Sequence, residues 1–88
     1  MSTQQVITRK LTEAFAPELL EVVDESEAHR GHAGWREGGE THFRLRMVAA
    51  DFAGQGRVAR QRAVNAVLRE ELREAVHALS MELRAPGE

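Results

Sequence analysis

Eighty-eight residues suffice for one domain and not for two, and a body of that size buries only about 60–65% of the surface its unfolded chain exposes, which leaves little room for a deep substrate cavity. Hydrophobic residues at 42% and charged residues at 30% are ordinary for a globular chain, and a formal charge of −2 argues against whole-molecule attraction to nucleic acid or an anionic membrane while permitting a local basic patch. The absence of cysteine excludes a disulfide scaffold and any metal site built from the chain's own thiolates.

The opening Met1-Ser2-Thr3-Gln4-Gln5 lacks a basic stretch followed by an apolar run, and no apolar stretch reaches the roughly 18–20 residues of a membrane span. The expectation is a soluble, cytoplasmic protein with no membrane attachment, folded as a single domain over residues 1–88.

In chain order, Ser2 to Phe15 places Ile7, Leu11, Ala14 and Phe15 at helical spacing, with Ser2 and Gln5 positioned as a capping box and Pro17 ending the helix. Leu19 to Asp24 is short and β-branched in its middle, and reads as a strand. Residues 25–40 carry Gly31, Gly34, Gly38 and Gly39, and regular structure is not expected there; loops of this length in small domains are often functional. Thr41 to Val48 alternates, with Phe43, Leu45 and Met47 on one face and His42, Arg44 and Arg46 on the other, as a half-buried strand antiparallel to the first does. Residues 51–56 form a turn.

Arg57 to Ala75 then reads as a helix, broken if anywhere at its start, with Val64, Val67, Leu68, Leu72 and Ala75 as its apolar stripe. Val76 to Leu83 alternates again, with His77, Leu79, Met81 and Leu83 sharing a face, and residues 83–88 are expected to fray. The order α-β-β-α-(α)-β predicts an α+β domain with helices on one face of a three-stranded sheet.

Several strings resemble one family. Leu20-Glu21-Val22-Val23-Asp24-Glu25-Ser26 is similar to the first strand of the BolA family and its exit, and Thr41-His42-Phe43 to the start of its second strand. Phe52-x-Gly54, Arg60-x-Arg62 and Leu68-x-x-Glu71-Leu72 resemble its turn and long helix, and Val76-His77-Ala78-Leu79 its entrance to the third strand. The blocks fall in family order and cover nearly the whole chain. The resemblance implies a class II KH-like fold, a partnership with CGFS-type monothiol glutaredoxins, and a [2Fe–2S] cluster held between the two proteins. Gln61 departs from the family's pattern, in which a histidine often stands between the two arginines.

His77 has two readings. Its strand face is otherwise apolar, so spacing favours a histidine capping the core edge, whereas the resemblance makes it a metal ligand. His29 and His32, at i, i+3 in the glycine-rich segment, read from sequence as solvated loop histidines; the resemblance makes one of them the second ligand, with His29 preferred for its closeness to the Asp24-Glu25-Ser26 exit. His42 is expected to be structural. Trp35 reads equally as a partner anchor, a role shared with His77, or as a side chain folded over the hydrophobic edge.

A cluster of this type takes four ligands, usually thiolates, and this chain offers imidazoles only. The implied partner therefore supplies sulfur, from a glutaredoxin cysteine and its glutathione. Protonated imidazole cannot ligate, so histidine-held clusters weaken as pH falls through about 6.5.

The alternative is a DNA-binding regulator. Arg62, Arg69 and Arg73 at i, i+7, i+11 form a stripe on the long helix and, with Arg57 and Arg60, suit phosphates. Glu70, Glu71 and Glu74 dilute that field, Glu70 being placed to pair with Arg73. Gly54-Gln55-Gly56-Arg57 is not a GxxG phosphate clamp, and Phe15, Phe43 and Phe52 are expected to be buried rather than to stack bases. An enzyme is not expected: no Gly-x-Ser-x-Gly, Ser-x-x-Lys or glycine-rich nucleotide signature is present. Alone, the domain is expected to be a monomer or weak dimer.

Overall fold

The computed structural model describes residues 2–25 and 41–88; His29, His32 and Trp35, and the roles expected of them, lie outside the described residues. Helix α1 spans Thr3–Phe15, strand β1 Leu19–Asp24, β2 His42–Val48, helix α2 Arg57–Val67, α3 Arg69–Glu74 and β3 Ala78–Arg84, with a 3-10 turn at Ala50–Phe52.

The capping box forms. The Ser2 N–H donates to Gln5 Oε1 (2.9 Å) and the Gln5 N–H to Ser2 Oγ (3.1 Å), satisfying two donors that helix geometry leaves orphaned. α1 buries Ile7 and Leu11 completely and Phe15 in part, whereas Ala14, expected on the same stripe, is exposed. The helix stops at Ala16, which takes a left-handed conformation (φ 44°, ψ 56°) just before Pro17.

The sheet order is β1-β2-β3. β1 and β2 are antiparallel, as expected, with Val22 opposite Leu45, while β2 and β3 are parallel, with Leu45 opposite Met81. A parallel pair requires a crossover, supplied here by α2 and α3. The core lies between the sheet and the helices: Phe43, Leu45 and Met47 of β2 meet Ile7, Leu11, Phe52, Val64 and Leu68, all nearly or fully buried. The Phe15 and Phe52 rings pack tilted, with centroids 5.3 Å apart. No described element covers the opposite sheet face, and Arg46 at its centre pairs with Glu82 (2.9 Å) and Glu21 (3.4 Å) on the flanking strands.

Three expectations need correction. The long helix breaks near its end, at Leu68, rather than at its start; neither glycine nor proline marks the site, and the break sets Leu68 itself into the core. Glu70 does not pair with Arg73, which meets its neighbour Glu74 instead (3.4 Å), while the side of α3 facing α1 is tied down by Lys10, whose Nζ donates to both carboxylate oxygens of Glu71 (2.9 and 3.0 Å). The tail does not fray. β3 runs to Arg84, Ala85 is buried, and the Glu88 carboxylate accepts from the Ala85 N–H (3.0 Å) and from both terminal nitrogens of Arg60 (2.6 and 2.7 Å). Such a forked pair fixes geometry as well as charge.

Candidate functional site

His77 sits between α3 and β3, one residue before the strand begins, and its side chain is exposed. The ring does not cap the core; that work falls to its neighbour Val76, which is buried. What anchors His77 is its backbone: its N–H and that of Ala78 both donate to the Thr41 carbonyl (2.7 and 3.2 Å). The mount is therefore fixed while the imidazole remains accessible.

Around this mount the two ends of segment 26–40 converge. Thr41, where the segment ends, is fully buried and holds His77. Glu25, where it begins, donates its N–H to the His42 carbonyl (2.8 Å). Both ends of the segment that carries His29 and His32 in sequence thus sit at the start of β2, the strand next to His77.

His42 was expected to be structural and is buried, with Nδ1 2.9 Å from Thr41 Oγ1. Its ring also lies against that of His77, centroids 6.3 Å apart and planes at 29°. Sequence reasoning missed this neighbourhood, because the parallel register that sets His42 opposite Ala78 is a long-range feature with no local signal. Among the described residues no group of three or more histidine, aspartate or glutamate side chains is arranged to hold a metal. The described residues thus offer one exposed imidazole, not a complete ligand set.

The arginines expected to meet phosphates are divided between two helices. The break at Leu68 leaves Arg62 on α2 and puts Arg69 and Arg73 on α3, all exposed. Arg60 is committed elsewhere: its side chain is 12% exposed, donates Nε to the Gln55 carbonyl (2.9 Å) and Nη1 to the Leu83 carbonyl (3.1 Å), lies over the Phe52 ring (5.9 Å) and pairs with Glu88. Those hydrogen bonds hold the Glu88 carboxyl down at about 2. Arg57, Arg62 and Arg69 have no ion-pair partner among the described residues.

No helix among the described residues is long and apolar enough to cross a membrane.

Comparison with known proteins gives this geometry its context. The family model described as BolA-like protein matches residues 11–88. A Sinorhizobium protein described by its position 5′ of cobS is 52% identical over all of this chain and 96% of its own length. The DNA-binding transcriptional regulator BolA of Haemophilus influenzae is 36% identical over all of this chain and 82% of its own. The solved BolA domain of SufE1 from Arabidopsis thaliana superposes with a TM-score of 0.87 at 40% identity, covering 98% of this chain and 94% of that one. Against the SufE-like protein 1 of the same plant, 42% identical, the chain spans only 23% of the relative's length. The match in sequence, extent and fold establishes that this chain belongs to the BolA family.

Proposed function

We propose that this BolA-like domain is a non-catalytic partner protein that binds a CGFS-type monothiol glutaredoxin and co-ligates a [2Fe–2S] cluster through His77 and one histidine of segment 26–40, His29 or His32, in iron–sulfur cluster assembly, trafficking or iron regulation. The observation that carries the reading is His77: an exposed imidazole on a rigid backbone mount, beside both ends of a histidine-bearing segment, in a chain without cysteine. The residues fit the group in kind. Imidazole replaces thiolate at one iron in some [2Fe–2S] centres and raises their potential, while the other iron keeps its sulfur ligands. Two histidines from this chain leave the sulfur positions to the partner's cysteine and glutathione, and an exposed site is what such sharing requires. Bound there, the cluster supplies a one-electron centre or a transferable cargo. This chain's own task is to present imidazole nitrogens in a fixed place.

The test is titration of a [2Fe–2S] glutaredoxin with this protein, followed by visible absorption and circular dichroism, with His77→Ala and a His29→Ala, His32→Ala double variant in parallel. The expected result is a new spectrum that saturates at a fixed ratio and is lost in both variants. An unchanged spectrum with the wild type overturns the reading.

A second reading, DNA binding, draws on the regulator name of the Haemophilus relative and on exposed Arg62 and Arg69. It requires affinity that falls steeply with salt and drops in Arg62→Glu and Arg69→Glu. With Arg60 tied to Glu88, the footprint is smaller than the sequence suggests.

A further inference from the structure

β3 is an edge strand, and the hydrogen bonds at its ends determine which backbone groups face away from β2. The Ala78 N–H donates to the Thr41 carbonyl, and the Arg84 carbonyl accepts from the Ala49 N–H (3.0 Å). Successive residues of a strand turn their N–H and C=O groups to opposite sides. Ala78, Ser80, Glu82 and Arg84 therefore face β2, and Leu79, Met81 and Leu83 face outward. Arg60 agrees with this parity, since it takes the Leu83 carbonyl from the outer side. The Leu79, Met81 and Leu83 N–H groups and the Leu79 and Met81 carbonyls have no hydrogen-bond partner among the described residues. An open row of this kind is a template for another strand. The edge of β1 is guarded differently, by the Gln4 amide donating to the Val22 carbonyl (2.6 Å).

Beside the β3 edge runs a groove of about 480 Å³, walled on one side by Gln55, Arg57, Arg60 and Gln61 and on the other by residues 81–84. Three of its side chains are cationic: Arg60 is paired with Glu88 and Arg84 with Glu82, and Arg57 has no ion-pair partner among the described residues. The only acid among its lining residues, Glu82, is already paired with Arg46 and Arg84. Leu79, Met81 and Leu83 pack against the core on the helix side but are only partly buried, unlike Phe43, Leu45 and Met47 of the central strand. The chain itself shows what the groove's cations accept, in the Glu88 carboxylate seated on Arg60.

We propose that the β3 edge is a docking site for an extended, acidic segment of a partner protein, added as a further strand beside Leu79–Leu83 with its carboxylates against Arg57, the groove arginine that has no ion-pair partner among the described residues. A second copy of this chain is the poorer occupant. Isologous pairing of β3 with itself would bring two Arg57 groups and no unpaired acid to the seam, since Glu82 and Glu88 are already paired within each copy. The proposal uses neither the His77 ring nor a cluster, so it stands or falls separately from the reading above.

The test uses a short fluorescent peptide of repeating Val-Glu, a Val-Lys counterpart, and amide exchange by NMR. The Val-Glu peptide is expected to bind more weakly as salt rises and to slow exchange at the Leu79, Met81 and Leu83 amides, while the Val-Lys peptide does not bind. Met81→Pro removes one outward N–H at a position where an edge strand tolerates proline, and is expected to weaken binding about tenfold. Arg57→Glu keeps the strand intact and is expected to weaken it several-fold, which covers the case in which the proline variant fails to fold. Equal binding of both peptides, binding without protection of the three amides, or a wild-type dimer whose β3 amides are already protected each overturns the proposal.

Discussion

Replacing His77 by alanine separates a ligand from a structural histidine, because the two roles predict different losses of stability. The ring is exposed, and among the described residues it lies beside the His42 ring, 6.3 Å away between centroids. The hydrogen bond that fixes the residue comes from its backbone N–H and survives the substitution. The loss is therefore confined to part of one ring contact, below about 1 kcal/mol. For a domain of this size that corresponds to a shift in Tm of less than about 8 °C. Leu45→Ala, at a fully buried position of the central strand, is the contrast and should cost about 2–5 kcal/mol. Urea unfolding of the two variants gives the stabilities, and the glutaredoxin titration gives the function. The expected outcome for His77→Ala is a near-native unfolding midpoint with no cluster spectrum. A loss above about 1.5 kcal/mol with the spectrum retained would refute the argument and restore the structural role.

Other perturbations test the scaffold. Ala16 holds a left-handed conformation that costs a residue with a Cβ about 1–2 kcal/mol, part of which glycine returns in unfolded-chain entropy; Ala16→Gly should raise stability by about 0.5–1 kcal/mol in urea unfolding. Glu71→Gln keeps the shape of the side chain but uncouples α3 from Lys10, and a double cycle with Lys10→Met should return a coupling of about 0.5–1 kcal/mol. The Glu88 carboxyl is held down from its ordinary 4.5 to about 2, first by the Arg60 hydrogen bonds and then by the Ala85 N–H. Because the folded value is the lower one, docking of the tail is complete above about pH 4.5 and is lost as pH falls through about 2. The Arg60 Nε–H resonance should follow that titration and lose it in Glu88→Gln.

The parts of the fold legible in the sequence are those written in local periodicity. Ile7 and Leu11, the alternation Phe43-Leu45-Met47 and the stripe Val64-Leu68-Leu72 each fix an element and its inward face, and Ser2 with Gln5 states where the first helix begins. The rest depends on partners far apart in sequence. No local pattern says that Glu88 will meet Arg60, that Glu71 will meet Lys10, or that His42 and His77 will lie ring against ring. The arginine spacing is read on one continuous helix, whereas the structure divides it at Leu68, a buried residue with non-helical φ and ψ, and no local signal marks that break.

The parallel pairing of β2 with β3 links the two surfaces argued for above. An antiparallel third strand would follow β2 through a short hairpin, leaving its start at the far end of the sheet from segment 26–40. The crossover through α2 and α3 instead returns the chain so that β3 begins opposite His42, where β2 begins. His77 is delivered beside the ends of the histidine-bearing segment for that reason. The same crossover leaves β3 on the rim, with α2 standing off far enough to open the basic groove. An exposed imidazole at the head of a strand and an open edge along it are two consequences of one connection. His77→Ala and Met81→Pro act on them one at a time.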